Sequence, residues 1–154
     1  MKKSVWLHNI RSVYNVGSIF RTADALGVKH IYLSGYTPQP IDRFGRHRSN
    51  FAKIALGAEK SVSWSVLENP FEEIKKKEAF LVVLEQDEQS IPLDEFTRQD
   101  ATEIILAVGE EVNGMKQEQL ALADTIIEIP MHGEKESLNV SVAFGIAGYT
   151  IFKG

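Results

Sequence analysis

Residues 138–152, Leu-Asn-Val-Ser-Val-Ala-Phe-Gly-Ile-Ala-Gly-Tyr-Thr-Ile-Phe, carry apolar side chains on nearly every helical face. A helix of that kind must be buried on all sides, and this one is too short to span a membrane. It therefore belongs inside the protein or inside a subunit interface. Ser137 and Asn139 are good N-cap residues for it. Ahead of it lie a β-branched run, Thr125 to Ile129, and a polar loop opened by Pro130 and containing Gly133. Strand end, loop and helix start together make a ligand site in open α/β sheets.

The same alternation runs through the whole chain. Ser4 to Leu7 reads as a strand. Asn15 reads as the cap of a helix whose apolar positions are Val16, Ile19, Phe20, Ala23 and Leu26, closed by Gly27. His30 to Ser34 is the next strand. Strand–helix–strand at this spacing is a βαβ unit and implies a parallel sheet. Further strands are expected at Val62 to Trp64, Ala79 to Leu84 and Glu103 to Val108. Helices are expected at Phe51 to Leu56, from Asn69-Pro70 onward, and at Gln117 to Ala123. Gly35 to Asn50 shows no apolar period and reads as a long loop, either functional or mobile. The fold class is α/β, a mainly parallel sheet with helices on both faces, and 154 residues make one domain.

Charge is unevenly spread. The net charge is −4, yet residues 1–60 hold ten Lys and Arg against three Asp and Glu. A basic half on an acidic chain suits a polyanion bound on one face; an unevenly charged solvated surface is the alternative. There is no cysteine, which excludes disulfides and thiolate metal sites. The four histidines show no ligand spacing, so no metal is assigned. Lys2 and Lys3 are followed only by Val5-Trp6-Leu7 before His8, which is no secretory signal. A cytoplasmic protein, not bound to membrane, is expected.

Polar or glycine-containing loops follow at least three strands, at 9–17, 109–114 and 130–139, with Glu85 to Ser90 as a fourth. In a parallel sheet they converge on one edge. Gly109 and Gly114 let backbone amides approach a ligand. Neither a Gly-x-Gly-x-x-Gly turn nor a Walker loop is present, so a dinucleotide or triphosphate cradle is not expected, while a nucleoside-type cofactor stays open. Taken singly, each residue has a plainer role. Asn15, Ser137 and Asn139 are caps, Arg21 pairs with Asp24, and Gly109 and Gly114 are turn glycines.

Three motifs, in this order, give the set a collective meaning: Asn15-Val16-Gly17-Ser18-Ile19-Phe20-Arg21-Thr22-Ala23; Leu106-Ala107-Val108-Gly109-Glu110-Glu111-Val112-Asn113-Gly114; and Ile129-Pro130-Met131-His132-Gly133 with Ser137-Leu138-Asn139-Val140-Ser141-Val142-Ala143. With them the chain resembles the SpoU (TrmH-type) family of RNA ribose 2′-O-methyltransferases, within the SPOUT superfamily. The resemblance spans essentially the whole chain. It implies a single catalytic domain, residues 1–154, without added RNA-binding segments. It implies a C-terminal deep trefoil knot, a rare exception to unknotted topology, and a homodimer with the first and last helices at the interface.

The resemblance further implies S-adenosylmethionine, its adenosyl part against Leu84, Gly109, Gly114, Ile129, Met131, Ser137 and Leu138. Methyl transfer to a ribose 2′-hydroxyl of tRNA or rRNA is then the expected reaction. Arg21 matches the catalytic arginine, supported by Asn15, Glu111 and Asn139. A guanidinium is effectively always protonated, so Arg21 is expected to bind the neighbouring phosphate as a fork and orient the hydroxyl. The proton would leave to that phosphate or to water. Arg43, Arg46 and Arg48, with Arg11, are expected to contact RNA phosphates. A non-catalytic RNA-binding dimer that kept the fold is the alternative.

Overall fold

Side chains alternate faces along every strand, and the core divides accordingly. In the computed structural model, which describes residues 1–153, seven strands form one sheet: β1 (Lys2–His8), β2 (His30–Ser34), β3 (Ser63–Leu67), β4 (Phe80–Leu84), β5 (Ile91–Pro92), β6 (Glu103–Val108) and β7 (Thr125–Glu128). Their order is β3-β2-β1-β6-β4-β7-β5, and every pairing is parallel. Val5, Leu7, Ile31, Leu33, Val82, Ile104, Leu106 and Ile127 point to one face. Trp6, Tyr32, Leu81, Val83, Ile105, Ala107 and Ile126 point to the other. A sheet buried on both faces needs helices on both.

The first face is covered by α1 (Val13–Ala25), α2 (Ser49–Ala55), α3 (Ala58–Ser61) and α6 (Val140–Phe152). The second is covered by α4 (Pro70–Lys75) and α5 (Gln117–Leu120). Helix α1 packs on both α2 and α6. Inside α6, Phe144, Ala147, Ile151 and Phe152 are buried, a spacing of three and four residues. The other side of that helix carries Val142, Ile146 and Tyr149, exposed by 51, 43 and 68%. Apolar character all round thus resolves into a core face and an uncovered stripe. No helix among the described residues is long and apolar enough to cross a membrane.

Several boundaries differ from the reading of the sequence. Asn15 is not the cap of α1. Ser12 is, extended at φ −85°, its hydroxyl accepting from the Asn15 N–H at 3.2 Å; Asn15 is the third helical residue, and its amide is free for other partners. Helix α2 begins at Ser49, ahead of Phe51, and α3 follows it as an extra turn. Asn69 precedes Pro70 as expected, yet makes no side-chain cap bond; its N–H donates to Glu73. The segment after β4 adds the short β5 and a 3-10 turn at Leu93–Glu95.

Candidate active site

β4, β6 and β7 are neighbours, and β6 also pairs with β1. The loops leaving their carboxyl ends therefore meet. They enclose a cavity of about 640 Å³, the size of a small-molecule site. Its apolar wall comes from Leu84, Val108, Ile129, Met131, Leu138 and Val140. Gly109, Gly114 and Ser137 also border it, as do Asn15, Glu111 and Asn139. All seven residues assigned to the adenosyl part thus line one cavity, together with three of the four catalytic candidates. A second hollow of about 870 Å³ lies where β5 and β7 end, between Leu93, Phe96 and Thr150; of the residues expected at the site only Ile129 lines it.

Two glycines shape the first cavity. Gly114 sits at φ +65°, and a Cβ there would stand 2.8 Å from Glu85 Cδ. At Gly109 a Cβ would run into the Met115 side chain. Glu85, at the end of β4, accepts from the Met115 N–H at 2.8 Å and from the Gln86 N–H at 3.1 Å. Gln86 in turn donates through Nε2 to the Glu136 carbonyl at 2.8 Å. Glu85 and Gln86 thereby lock three loops to one another. The sequence reading placed them in a fourth loop without a role, because a carboxylate that bonds backbone amides across 30 residues leaves no local pattern.

A second network joins the helix starts. Asn139 caps α6: its Oδ1 accepts from the Ser141 N–H at 2.9 Å and the Ser141 hydroxyl at 2.6 Å. That fixes its Nδ2 as the donor to Asn15 Oδ1, at 3.2 Å. Asn15 Nδ2 must then face an acceptor, and it donates to Glu111 Oε1 at 3.3 Å. The Glu111 carboxylate also accepts from the Arg11 N–H at 3.2 Å. Both amide orientations follow from partners that have only one role, a backbone donor at one end and a carboxylate at the other.

The arginines are dispersed. Arg21 is exposed on α1, two turns beyond Asn15, and does not line the cavity. The pair with Asp24 does not form: Asp24 accepts from the Ser61 hydroxyl at 2.7 Å, and no ion pair of Arg21 occurs among the described residues. Tyr14, Ser18 and Arg21 share one face of α1 by their spacing. Arg11 stands next to the site, 3.8 Å from Glu110. Arg43, Arg46 and Arg48 lie in the 36–48 loop. No group of three or more His, Asp or Glu side chains among the described residues is placed to hold a metal.

Near the same edge, His8 is buried at the end of β1. Trp6 Nε1 donates to Ser34 Oγ at 2.8 Å, and His8 Nδ1 lies 2.7 Å from that oxygen. Burial, and then the Lys116 charge, hold the His8 imidazole below its ordinary pKa.

Residues 2–149 match the SpoU rRNA Methylase family, and the chain belongs to it. It is 32% identical over 148 residues to a tRNA (guanosine(18)-2′-O)-methyltransferase of Aquifex aeolicus, covering 94% of this chain and 66% of that protein. It is 31% identical to a 23S rRNA (guanosine-2′-O-)-methyltransferase RlmB of Ralstonia nicotianae, covering 91% of this chain and 54% of the relative. The chain thus spans roughly half to two thirds of these relatives. Among solved structures, the Aquifex aeolicus TrmH/SpoU tRNA modifying enzyme superposes with a TM-score of 0.80 at 30% identity, over 97% of this chain and 73% of that one. An AdoMet-bound rRNA methyltransferase from Sinorhizobium meliloti gives 0.86 at 23% identity, over 97% and 55%, a likeness of fold.

Proposed function

We propose that this member of the SpoU family transfers the methyl group of S-adenosylmethionine to a ribose 2′-hydroxyl of tRNA or rRNA. The observation that carries the reading is the meeting of all three motifs at one cavity. Their polar members, Asn15, Glu111 and Asn139, are already hydrogen-bonded to one another there. The intact set of Asn15, Arg21, Glu111, Ser137 and Asn139 argues against a non-catalytic RNA binder.

The cavity suits the cofactor. Leu84, Ile129, Met131 and Leu138 offer apolar surface for a purine, and Gly109 and Gly114 border it without side chains. Glu85, Glu110, Glu128 and Glu136 on the rim favour a cationic ligand. S-adenosylmethionine supplies an electrophilic methyl; the protein has to position the acceptor and accommodate one proton. Asn15 and Asn139, held rigid by Glu111 and by the start of α6, hydrogen-bond the ribose. Arg21 grips the adjacent phosphate as a planar fork, and the proton leaves to that phosphate or to water.

In one protomer Arg21 stands away from the cavity, on the same helix face as the exposed Tyr14. The Val142, Ile146 and Tyr149 stripe lies on the neighbouring helix. Both features fit a homodimer packed through α1 and α6, with Arg21 serving the site completed across the interface. The trefoil knot goes with this family fold, as does a single catalytic domain over residues 1–154. Cytoplasmic residence goes with its RNA substrate.

The test is calorimetry with S-adenosylmethionine and with its demethylated product, followed by nucleoside digestion of RNA incubated with the protein. Micromolar binding and a new 2′-O-methylnucleoside are expected. No binding of either ligand to folded protein would overturn the reading.

A further inference from the structure

Between Gly35 and Arg48 the chain leaves the sheet and builds a small, tightly bonded projection. The Asp42 N–H donates to the Arg46 carbonyl at 2.8 Å, and the Gly45 N–H to the Asp42 carbonyl at 3.0 Å. Asp42 Oδ1 accepts from the backbone N–H groups of Phe44, at 2.8 Å, and Arg46, at 3.0 Å. Those amides hold its carboxyl below the ordinary range. Arg46 Nε donates to the other carboxylate oxygen at 3.2 Å, and Arg48 Nε to the Ile41 carbonyl at 3.3 Å. At the tip of this hairpin stands Phe44, 66% exposed, with the guanidinium carbons of Arg43 and Arg46 at 4.8 and 5.0 Å from its ring centre.

The root of the loop repeats the arrangement. Tyr36 is 50% exposed, and the Arg11 guanidinium lies 5.8 Å from its ring centre. The Tyr36 N–H donates to Asn9 Oδ1 at 3.2 Å. Arg11 itself donates its backbone N–H to Glu111, so Tyr36 is one residue removed from the candidate active site.

A loop free to move would fold such rings away from water. Here backbone bonds hold Phe44 outward. A protein partner would call for further apolar surface, whereas the neighbours of Phe44 are Arg43, Arg46, His47 and Arg48. The one acid, Asp42, is already engaged. Exposed rings with cations beside them suit a ligand that has both flat π faces and negative charge. Unpaired RNA has both; a duplex keeps its base faces inside.

We propose that the 36–48 loop is a stacking platform for unpaired bases flanking the target ribose, Tyr36 nearest the reaction and Phe44 farther out. The proposal rests on the RNA methyltransferase reading and adds the substrate class: a loop or single strand, not a helix. Arg43 and Arg46 then serve twice, as phosphate contacts and as planar neighbours of a stacked base.

The test measures fluorescence anisotropy of one labelled RNA oligonucleotide, single-stranded and annealed to its complement, across a salt series. Calorimetry with S-adenosylmethionine runs on every variant. Tyr36→Ala and Phe44→Ala should each weaken single-strand binding about 5- to 100-fold, with the salt slope and cofactor affinity unchanged. Phe44→Trp should restore binding. Arg43→Gln with Arg46→Gln should instead flatten the salt slope. Wild-type single-strand affinity in both alanine variants overturns the platform and leaves the methyltransferase reading standing. Equal loss on the duplex, or a change of self-association in sedimentation, also overturns it. A wild-type protein that binds no cofactor overturns the methyltransferase reading and this inference with it.

Discussion

Gly114→Ala probes whether the loop locked by Glu85 is part of the cofactor site. The native φ of +65° makes an alanine there unfavourable by about 1–2 kcal/mol. The new Cβ would also meet the Glu85 carboxylate, 2.8 Å from its Cδ. Glu85 has to swing away, and its bond to the Met115 N–H is lost. A hydrogen bond to a charged group contributes about 1.5–3 kcal/mol; Glu85 is half-buried and regains water, so the lower end applies. The sum, about 2.5–3.5 kcal/mol, falls on the closed form of residues 109–115. If the cofactor binds only that form, its apparent affinity drops by about 60- to 350-fold at most. The opening is local, so the melting temperature should shift by no more than about 4 °C. Gly133→Ala is the matched control: a Cβ there meets nothing within 4 Å, and affinity should stay within about twofold, well inside 1 kcal/mol. Removing Glu85 first should make the two changes less than additive, because the carboxylate is then no longer there to be displaced. Calorimetric titration of the two glycine variants, a Glu85→Ala variant and its double with Gly114→Ala against wild type reads the effect. Wild-type affinity in Gly114→Ala would show that the 109–115 loop does not shape the ligand site.

Asn139→Asp keeps the acceptor that caps α6 but sets a carboxylate oxygen against Asn15 Oδ1 where the donor was, so it should still fold, with a modestly lower melting temperature, while methyl transfer falls by at least about 100-fold, near the cost of a lost transition-state hydrogen bond. Asn139→Ala should in addition destabilise by about 1 kcal/mol, as cap losses do, read in a thermal melt. Ile146→Asp places a charge on the exposed stripe and should yield folded monomer in sedimentation, whereas Phe144→Asp, at a position with no exposure, should fail to fold. Arg21→Ala should change stability by less than about 0.5 kcal/mol, keep cofactor binding and abolish single-turnover methyl transfer; Arg21→Lys should rescue poorly, and near-normal turnover in the alanine variant would remove Arg21 from the mechanism. His8 has a folded-state pKa below its unfolded value, so the unfolded chain takes up a proton first on acidification. Its contribution is complete above about pH 6.5 and is lost as the pH falls towards the folded-state pKa. Melting temperatures should therefore decline from pH 7.5 to 5.5, and less steeply in His8→Asn; the same slope in both would refute the assignment.

The elements that the sequence made legible are those whose reasons are local. His30–Ser34 and Glu103–Val108 appear with the expected bounds, because buried parallel strands are unbroken apolar runs ended by polar or glycine residues. The last helix was legible for the same reason. Its division into core face and bare stripe was not, since Val142 and Phe144 are equally apolar and only the position of α1 and the sheet decides which one is covered. Helix starts failed where two candidate caps compete. Ser12 and Asn15 both qualify by residue type, and the choice was made from a distance: Asn15 is drawn to Glu111 and Asn139, 96 and 124 residues away, so Ser12 takes the cap.

That exchange also bears on which residues are functional. Were Asn15 merely a cap, its side chain would be used up by its own helix. As the third residue of α1 it has both amide atoms turned to other motifs, and Ser12 performs the structural task. Asn139 does both at once, one amide atom on Ser141 and the other on Asn15. A network whose every member has a fixed donor or acceptor role has no slack, so replacing Asn15 by any residue without both an acceptor and a donor must strand either Asn139 Nδ2 or Glu111. Stability alone would have been served as well by two ordinary caps and apolar filling. Under the proposed function, the polar chain from Arg11 through Glu111, Asn15 and Asn139 to Ser141 has a use as the rigid frame of the site: Asn15, Glu111 and Asn139 line the cavity, and Arg11 at its start lies beside Tyr36 of the 36–48 loop.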